Sequence, residues 1–319
     1  MFRKNCAVRS WSIVLLLLAA ASYAFAAAEH GSTIREGEIY ISPDTTSQKL
    51  TTFTRGRDVA ILERAGKFIH VLATVDVNPD LESSRDISGW ILSRNIIAQT
   101  TPDGDKLLFG EAIDSESEAS RRHGRKGAAG DARRLYYRIY DLFPTSPLAG
   151  EALYRAADIQ WQLDKEDAST RPSAKSDDPN LRAQINEEAM RLVMKKFPHT
   201  KWSEMAAFHL IDNKICGDWI GQSKCPSKEA ELYEKYAQEY PNSPDAPEAL
   251  YDAAYRYAAL VDIYRTESKS DKSGEAGKRA IGLAQRLVTQ SPTTDWAMRA
   301  MRLIYMVQNS IPVFGSNYE

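Results

Sequence analysis

Four short proline-containing segments recur through the second half of the chain. They are Phe143–Ser146, Phe197–Thr200, Tyr240–Ser243 and Ser291–Thr294. In each segment the second residue is proline, the fourth is serine or threonine, and an alanine stands nine positions after the first residue. Proline cannot continue a helix, and the residue before it avoids helical angles. We therefore call these segments corners, and each is expected to end one helix and start another.

The residues around the corners predict pairs of helices. Before the first corner, Leu135, Ile139 and Leu142 have the spacing of one helix face. The serine or threonine of each corner can cap the next helix, and the recurring alanine lets that helix approach its neighbour closely. The expected non-helical prolines are Pro144, Pro198, Pro241 and Pro292. Stacked helix pairs of this kind predict an all-α helical solenoid.

The corners are 54, 43 and 51 residues apart, whereas a tetratricopeptide array repeats every ~34 residues. Polar inserts at residues 164–181, 216–227 and 266–277 account for the excess. The segment YPNSPDAPEALY at residues 240–251 resembles repeats of the outer-membrane assembly lipoprotein family and the Tol-Pal accessory protein family. The resemblance implies a degenerate tetratricopeptide-like array over residues 131–314. It also implies a periplasmic scaffold that holds protein partners.

The segment before this array has a strand-like pattern. Val59 and Ile61, and then Ile69 and Val71, alternate with polar residues on either side of a turn. Five short strands in some sixty residues can bury a core by closing into a small barrel. The sequence therefore predicts two domains, a small β-barrel followed by the solenoid.

The order of motifs at residues 39–47, 54–62, 66–71 and 89–92 resembles a bacterial SH3-like domain. The resemblance implies an SH3-like barrel over residues 33–98 that contacts cell-wall peptide or glycan through aromatic side chains. Two positions depart from the family pattern: Tyr40 or Ile41 replaces an arginine, and Phe68 replaces a tryptophan. Trp90 is expected in the core.

Residues 99–130 connect the two domains. They are rich in glycine, serine and charge, and residues 121–126 form a basic cluster. This composition is typical of a solvated linker. The glycines lack the lysine and the hydroxyl residue of a phosphate-binding loop.

The N-terminus resembles an export signal. Arg3, Lys4 and Arg9 precede an apolar run at residues 13–21, which is short for a span of ~20 residues. Small residues follow, so residues 1–27 are predicted to be a signal peptide cut near Ala26 or Ala28; an uncleaved anchor is the alternative. Removal changes the formal charge from −2 to −5, which does not indicate a nucleic-acid partner. We expect a periplasmic or secreted protein without a stable membrane span after cleavage.

The two cysteines of the second domain, Cys216 and Cys225, are expected to form a disulfide in an oxidising compartment. A metal or redox pair and two free thiols are the alternatives. No sequence signature of a nucleophile elbow, a zinc protease or a nucleotide loop occurs. We therefore expect no catalytic, cofactor-binding or metal-binding residues, and we interpret His209 as structural.

Aromatic residues are the candidates for partner binding. Trp161, Tyr255 and Tyr257 carry large rings with polar tips, which suit a protein-binding groove. Tyr255 and Tyr257 are two positions apart on one helix, so at least one is expected to line an open surface. The favoured function is an exported, non-enzymatic adaptor that binds an envelope protein or peptide, while the SH3-like domain contacts peptidoglycan or a second protein. The alternative is a cell-wall enzyme or enzyme subunit, which a cleft of converging carboxylates and histidine would favour.

Overall fold

A computed structural model describes residues 29–78 and 83–313. The predicted signal peptide lies outside the described residues. Within these two ranges, no helix has both the length and the apolar character needed to cross a membrane.

The N-terminal part is one antiparallel sheet of seven strands. The strands are β1 (Glu29–Thr33), β2 (Gly37–Tyr40), β3 (Lys49–Phe53), β4 (Asp58–Ala65), β5 (Phe68–Asn78), β6 (Ser83–Leu92) and β7 (Ile96–Ala98). Their order is β3-β2-β6-β5-β4-β1-β7. Val59 and Ile61 of β4 and Ile69 and Val71 of β5 point into one core, as their alternation predicted. Strands β3 and β7 are the two edges, so the sheet as described is open rather than a closed barrel.

The C-terminal part is an all-α array. Its helices are α1 (Gly104–Ala119), α2 (Ala128–Leu142), α3 (Ala149–Thr170), α4 (Glu188–Lys196), α5 (Lys201–His209), α6 (Lys224–Glu239), α7 (Ala246–Thr266), α8 (Ser270–Gln290) and α9 (Asp295–Gln308). Every corner lies between two of these helices, so the pairs are α2–α3, α4–α5, α6–α7 and α8–α9. The predicted helical repeat array is therefore observed.

The hydroxyl residues of the corners act in two ways. The side chains of Thr200 and Thr294 cap α5 and α9, because each accepts an N–H from the residue three positions on, at 3.4 and 3.2 Å. Ser146 and Ser243 instead accept the N–H two positions on, at 3.1 and 3.3 Å, within the turn before the helix begins. A second proline follows each of these serines and delays the helix start.

The recurring alanines pack between helices. All four have 0% exposure: Ala152, Ala206, Ala249 and Ala300. A larger side chain at these positions would separate the helix from its neighbours.

The linker prediction for residues 99–130 is wrong, because residues 104–119 form helix α1. Leu108 and Ala112 of α1 are fully buried and share a core with Leu135 of α2 and Ile97 of β7. Of the small and polar residues that suggested a linker, Gly104 and Ser115 are buried, whereas Gly110 and Asp114 are exposed. Sheet and array are therefore packed directly against each other, and the Arg134 side chain in α2 donates to the sheet-region carbonyl of residue 55 at 3.0 Å.

The disulfide between Cys216 and Cys225 is confirmed, with an S–S distance of 2.10 Å. The loop that it closes carries Trp219, which is 1% exposed. The Trp219 indole N–H donates to the Glu229 carboxylate at 3.2 Å. The disulfide thus holds an insert of the array onto helix α6.

Candidate functional site

A groove of about 450 Å³ lies among the second helices of the four pairs, α3, α5, α7 and α9. Five carboxylates line it: Asp158, Asp212, Asp245, Glu248 and Asp252. We call it the acidic groove. Three of these carboxylates stand at the start of α7 with the spacing of one helix face, so their common orientation follows from the helical period.

Three basic side chains line the acidic groove: two of them pair with its carboxylates, and the third, Arg299, lies over the Trp296 ring. The buried Arg256 donates to Asp252 at 3.1 Å and to Glu229 at 2.8 Å. The Lys165 ammonium lies 2.9 Å from Asp212. Burial raises the pKa of Asp252 despite the opposing effect of the adjacent guanidinium.

Asp245 and Glu248 differ from these two, because neither forms an ion pair with any residue in the described ranges. Burial, together with the charge of Asp158, raises the pKa of Asp245 to about 6. Burial, with the charges of Asp252, Asp245 and Asp212, raises the pKa of Glu248 to about 7. Both carboxylates therefore ionise at a cost that a cation brought from outside would reduce.

His209 lies at the end of α5 and also lines the acidic groove. Its Nε2 atom is 3.2 Å from the Tyr154 hydroxyl and 3.3 Å from Asp158 Oδ1. Burial lowers the pKa of the imidazole, and the Asp158 charge opposes that effect. Sequence reasoning treated His209 as a structural residue and missed its place in the groove. Its partners come from α3, some fifty residues earlier, so no local pattern could reveal them.

The three aromatic candidates for partner binding do not line an open surface. Trp161, Tyr255 and Tyr257 are only 1%, 6% and 7% exposed. The expectation that Tyr255 or Tyr257 faces outward is wrong, because α6 packs on one side of α7 and α8 and α9 pack on the other. The Trp161 indole N–H is tied to Asp212 at 3.2 Å, so this ring serves the packing beneath the groove.

Two other tryptophans pack at the groove's ends. The Trp202 ring stacks on Tyr154, with ring centres 5.5 Å apart. The Trp296 ring lies 5.3 Å from the Tyr251 ring and lines the groove. Aromatic surface thus flanks the carboxylates at both the α3 and the α9 end.

The sheet region buries two of its aromatic residues. Tyr40 and Phe53 are 6% and 5% exposed, and the Tyr40 hydroxyl donates to Glu38 at 2.6 Å. Trp90, expected in the core, is only partly buried and stacks on His70 with ring centres 4.8 Å apart. Trp90 and His70 are therefore the aromatic pair that this sheet presents outward.

Within residues 29–78 and 83–313, no group of three or more histidine, cysteine, aspartate or glutamate side chains is arranged to hold a metal ion. The groove carboxylates therefore do not converge on one point in the way that metal ligands do.

The solved structures that resemble this chain include designed helical repeat proteins. No family model matches the chain, and no curated protein matches it. Among solved structures, the DHF58 filament is 16% identical, with a TM-score of 0.22 over 65% of this chain and 94% of that chain. The de novo designed helical repeat protein DHR64 is 17% identical, with a TM-score of 0.21 over 66% of this chain and 95% of that chain. Likenesses this low carry no argument about function.

Fold and site together describe a two-part protein with one candidate binding groove. The chain joins an open antiparallel sheet to an all-α, repeat-like array with one disulfide, and the array contains a groove rich in carboxylates.

Proposed function

We propose that this protein is a non-catalytic adaptor of the cell envelope whose acidic groove binds a cationic segment of a partner protein or peptide. The observation that carries the proposal is the pair Asp245 and Glu248. These half-buried carboxylates have raised pKa values and no ion-pair partner in the described ranges.

A lysine or arginine side chain of a partner would supply the missing charge. Hydrogen bonds to charged groups contribute ~1.5–3 kcal/mol each, and more where water is partly excluded. The groove volume of about 450 Å³ accommodates a few side chains rather than a folded domain. The partly exposed Trp296 ring at the α9 end can pack on the aliphatic stem of such a side chain. A short basic segment is therefore the ligand that the groove fits best.

The rest of the chain supports an envelope location. The N-terminal residues resemble an export signal, and a disulfide persists in oxidising compartments. We assign the sheet region, by its resemblance to SH3-like domains, the role of contacting peptidoglycan or a second protein. In this proposal the array resembles a tetratricopeptide-like scaffold and holds the basic segment.

The binding test uses two peptides that differ only in charge. One carries four lysines separated by glycine and serine, and the other carries glutamines at the same positions. Isothermal titration calorimetry should show binding of the lysine peptide alone. Glu248→Gln and Asp245→Asn should each weaken binding by ~10-fold or more, the equivalent of one charged hydrogen bond.

The matched control is Glu275→Gln, which removes an exposed carboxylate from α8, away from the groove. This variant should bind the lysine peptide as the wild type does. The adaptor proposal fails if the lysine peptide does not bind, or if Glu275→Gln loses as much affinity as Glu248→Gln.

One observation favours the enzyme alternative as a second candidate. His209, Asp158 and Glu248 line the same groove, and a carboxyl with a pKa of about 7 is in the range of a general acid or base. Incubation with peptidoglycan fragments, followed by mass spectrometry of the products, separates the two functions. Turnover that disappears in Glu248→Gln would favour the enzyme over the adaptor.

A further inference from the structure

The last helix of the array carries an uncovered apolar stripe. Met298, Met301 and Tyr305 of α9 are 52%, 46% and 61% exposed. They are three and four residues apart, so they lie along one side of the helix. The opposite side, with Ala297, Ala300 and Leu303, is buried at 0–2% exposure.

The preceding helix pairs show what normally covers such a stripe. One equivalent position, fourteen residues after the start of each corner, can be compared in all four pairs. It is buried in the first three, at Ala157 (3% exposed), Ile211 (5%) and Ala254 (0%), and 61% exposed in the last, at Tyr305. Ala157 shares an apolar cluster with Val193 of α4, and Ala254 shares one with Leu283 of α8. In the inner pairs this position is thus covered by the pair that follows, whereas α9 has no following pair in the described ranges.

The first helix of the array has a complementary stripe. Leu107 and Ile113 of α1 are 49% and 42% exposed, and Gly110 lies between them on the same side. A methyl group placed on Gly110 would meet nothing within 4 Å, so another helix can approach closely there. The array therefore exposes apolar helix surface at both of its ends, where a capped solenoid would be polar.

We propose that α9 of one copy docks on α1 of a second copy, so that the array continues from chain to chain. The exposed stripe of each helix is then covered by the helix of the other copy. Charge favours this pairing over α9 against α9. Arg302 flanks the stripe of α9 and Asp114 flanks the stripe of α1, and neither forms an ion pair with any other described residue. Pairing α9 with itself would place arginines together, whereas pairing it with α1 places opposite charges together.

Such a contact uses two different surfaces, so it is heterologous and can extend beyond a dimer. This property gives a test in which each surface is blocked separately. Met301→Asp blocks α9, and Ile113→Asp blocks α1. Both residues are exposed, so the variants should keep the wild-type circular dichroism spectrum. Leu181→Asp, at a site 67% exposed outside both stripes, is the matched control.

Sedimentation velocity on the purified protein, up to ~1 mM to reach the weak end of specific association, measures the outcome. Wild type and Leu181→Asp should show an average mass that rises with concentration. Met301→Asp alone and Ile113→Asp alone should stay at the monomer mass. A one-to-one mixture of the two should form a species of twice that mass and nothing larger, because one intact α9 meets one intact α1.

Three results would overturn the proposal. The first is a wild type that stays monomeric over the whole range. The second is Ile113→Asp still dimerising alone, which would show that α9 pairs with itself. The third is loss of association in Leu181→Asp, which would place the contact elsewhere.

Discussion

Replacing Glu248 by glutamine should stabilise the protein at neutral and alkaline pH while it weakens ligand binding. The Glu248 carboxylate is half-buried, and three other acidic side chains, Asp252, Asp245 and Asp212, raise its pKa. Glutamine has nearly the same shape but no charge. The substitution therefore removes the cost of burying this charge, and the repulsion from its acidic neighbours, that the folded protein carries whenever Glu248 is ionised.

The size of the effect follows from the pKa of Glu248, which rises from 4.5 to about 7 on folding. At ~1.4 kcal/mol per pKa unit, the full difference would be ~3 kcal/mol. Because the carboxylate remains partly in contact with water, screening reduces this to ~1–2 kcal/mol. We expect Glu248→Gln to raise the free energy of unfolding by that amount at pH 8.

The pH dependence has a definite sign. Between pH 4.5 and about 7 the unfolded chain has already released the Glu248 proton while the folded chain retains it. The unfolded state therefore binds fewer protons, so the stability contributed by this group falls as pH rises through that window. Wild type and Glu248→Gln should be equally stable near pH 4 and should diverge steadily until about pH 8.

Urea denaturation followed by tryptophan fluorescence at several pH values measures the divergence. Carboxyl groups outside the groove titrate equally in wild type and Glu248→Gln. The quantity of interest is therefore the difference between their free energies of unfolding at each pH. Glu275→Gln should follow the wild type at every pH. A Glu248→Gln protein that is less stable than the wild type at pH 8, or a difference that does not change with pH, would refute the reasoning.

Two further substitutions test the packing of the array. Replacing Cys216 and Cys225 together by serine should lower the free energy of unfolding by ~2–3 kcal/mol, as expected for a ten-residue loop; dithiothreitol should destabilise the wild type but not this variant, and equal sensitivity of both would contradict the assignment. Ala249→Leu should cost ~1–3 kcal/mol in thermal unfolding, because Ala249 has 0% exposure between helices. Ala119→Leu, at an exposed position near the end of α1, should change little, and equal losses in both would show that the corner alanine is not specially confined.

The corners could be predicted from sequence because proline acts on the backbone of its own neighbourhood. Pro144 and Pro198 end helices whatever the rest of the chain does. The strands around Val59 and Ile69 were likewise visible, since alternation reflects a sheet with one buried side. Whether the sheet closes depends on pairing between its edge strands, which no local pattern encodes.

Helix α1 was not predicted, because its sequence shows a weak apolar face. Leu108 and Ala112 face the core, but Leu107 and Ile113 lie on the outer side, so apolar residues occur all around the helix. When apolar and polar residues occur on all sides of a helix, its sequence shows no amphipathic pattern and its composition resembles that of a linker. The same outward apolar residues carry the proposed contact between copies, so one feature of α1 explains both the missed helix and that contact.

The acidic groove was invisible in the sequence because its members come from helices far apart in the chain. Asp158 and Asp245 become neighbours only through the stacking of successive helix pairs. Trp161 and Tyr255 were misjudged for the related reason that each inner helix is enclosed by its neighbours on several sides. Aromatic size alone does not show which side of such a helix remains open.

In the proposed function Asp245 and Glu248 serve a ligand rather than the fold, and the pattern of charge in the groove supports this proposal. The chain supplies Arg256 to Asp252 and Lys165 to Asp212, so cations are placed where the buried acids of the fold require them. Of the other three carboxylates, Asp158 lies 3.3 Å from His209 Nε2, whereas Asp245 and Glu248 at the start of α7 are half-buried and form no ion pair in the described ranges. Groups that lower stability persist where binding or catalysis uses them. A cation brought by a partner would reduce the repulsion between these carboxylates on binding. The same two groups would then lower the stability of the unbound protein and raise its affinity for the partner.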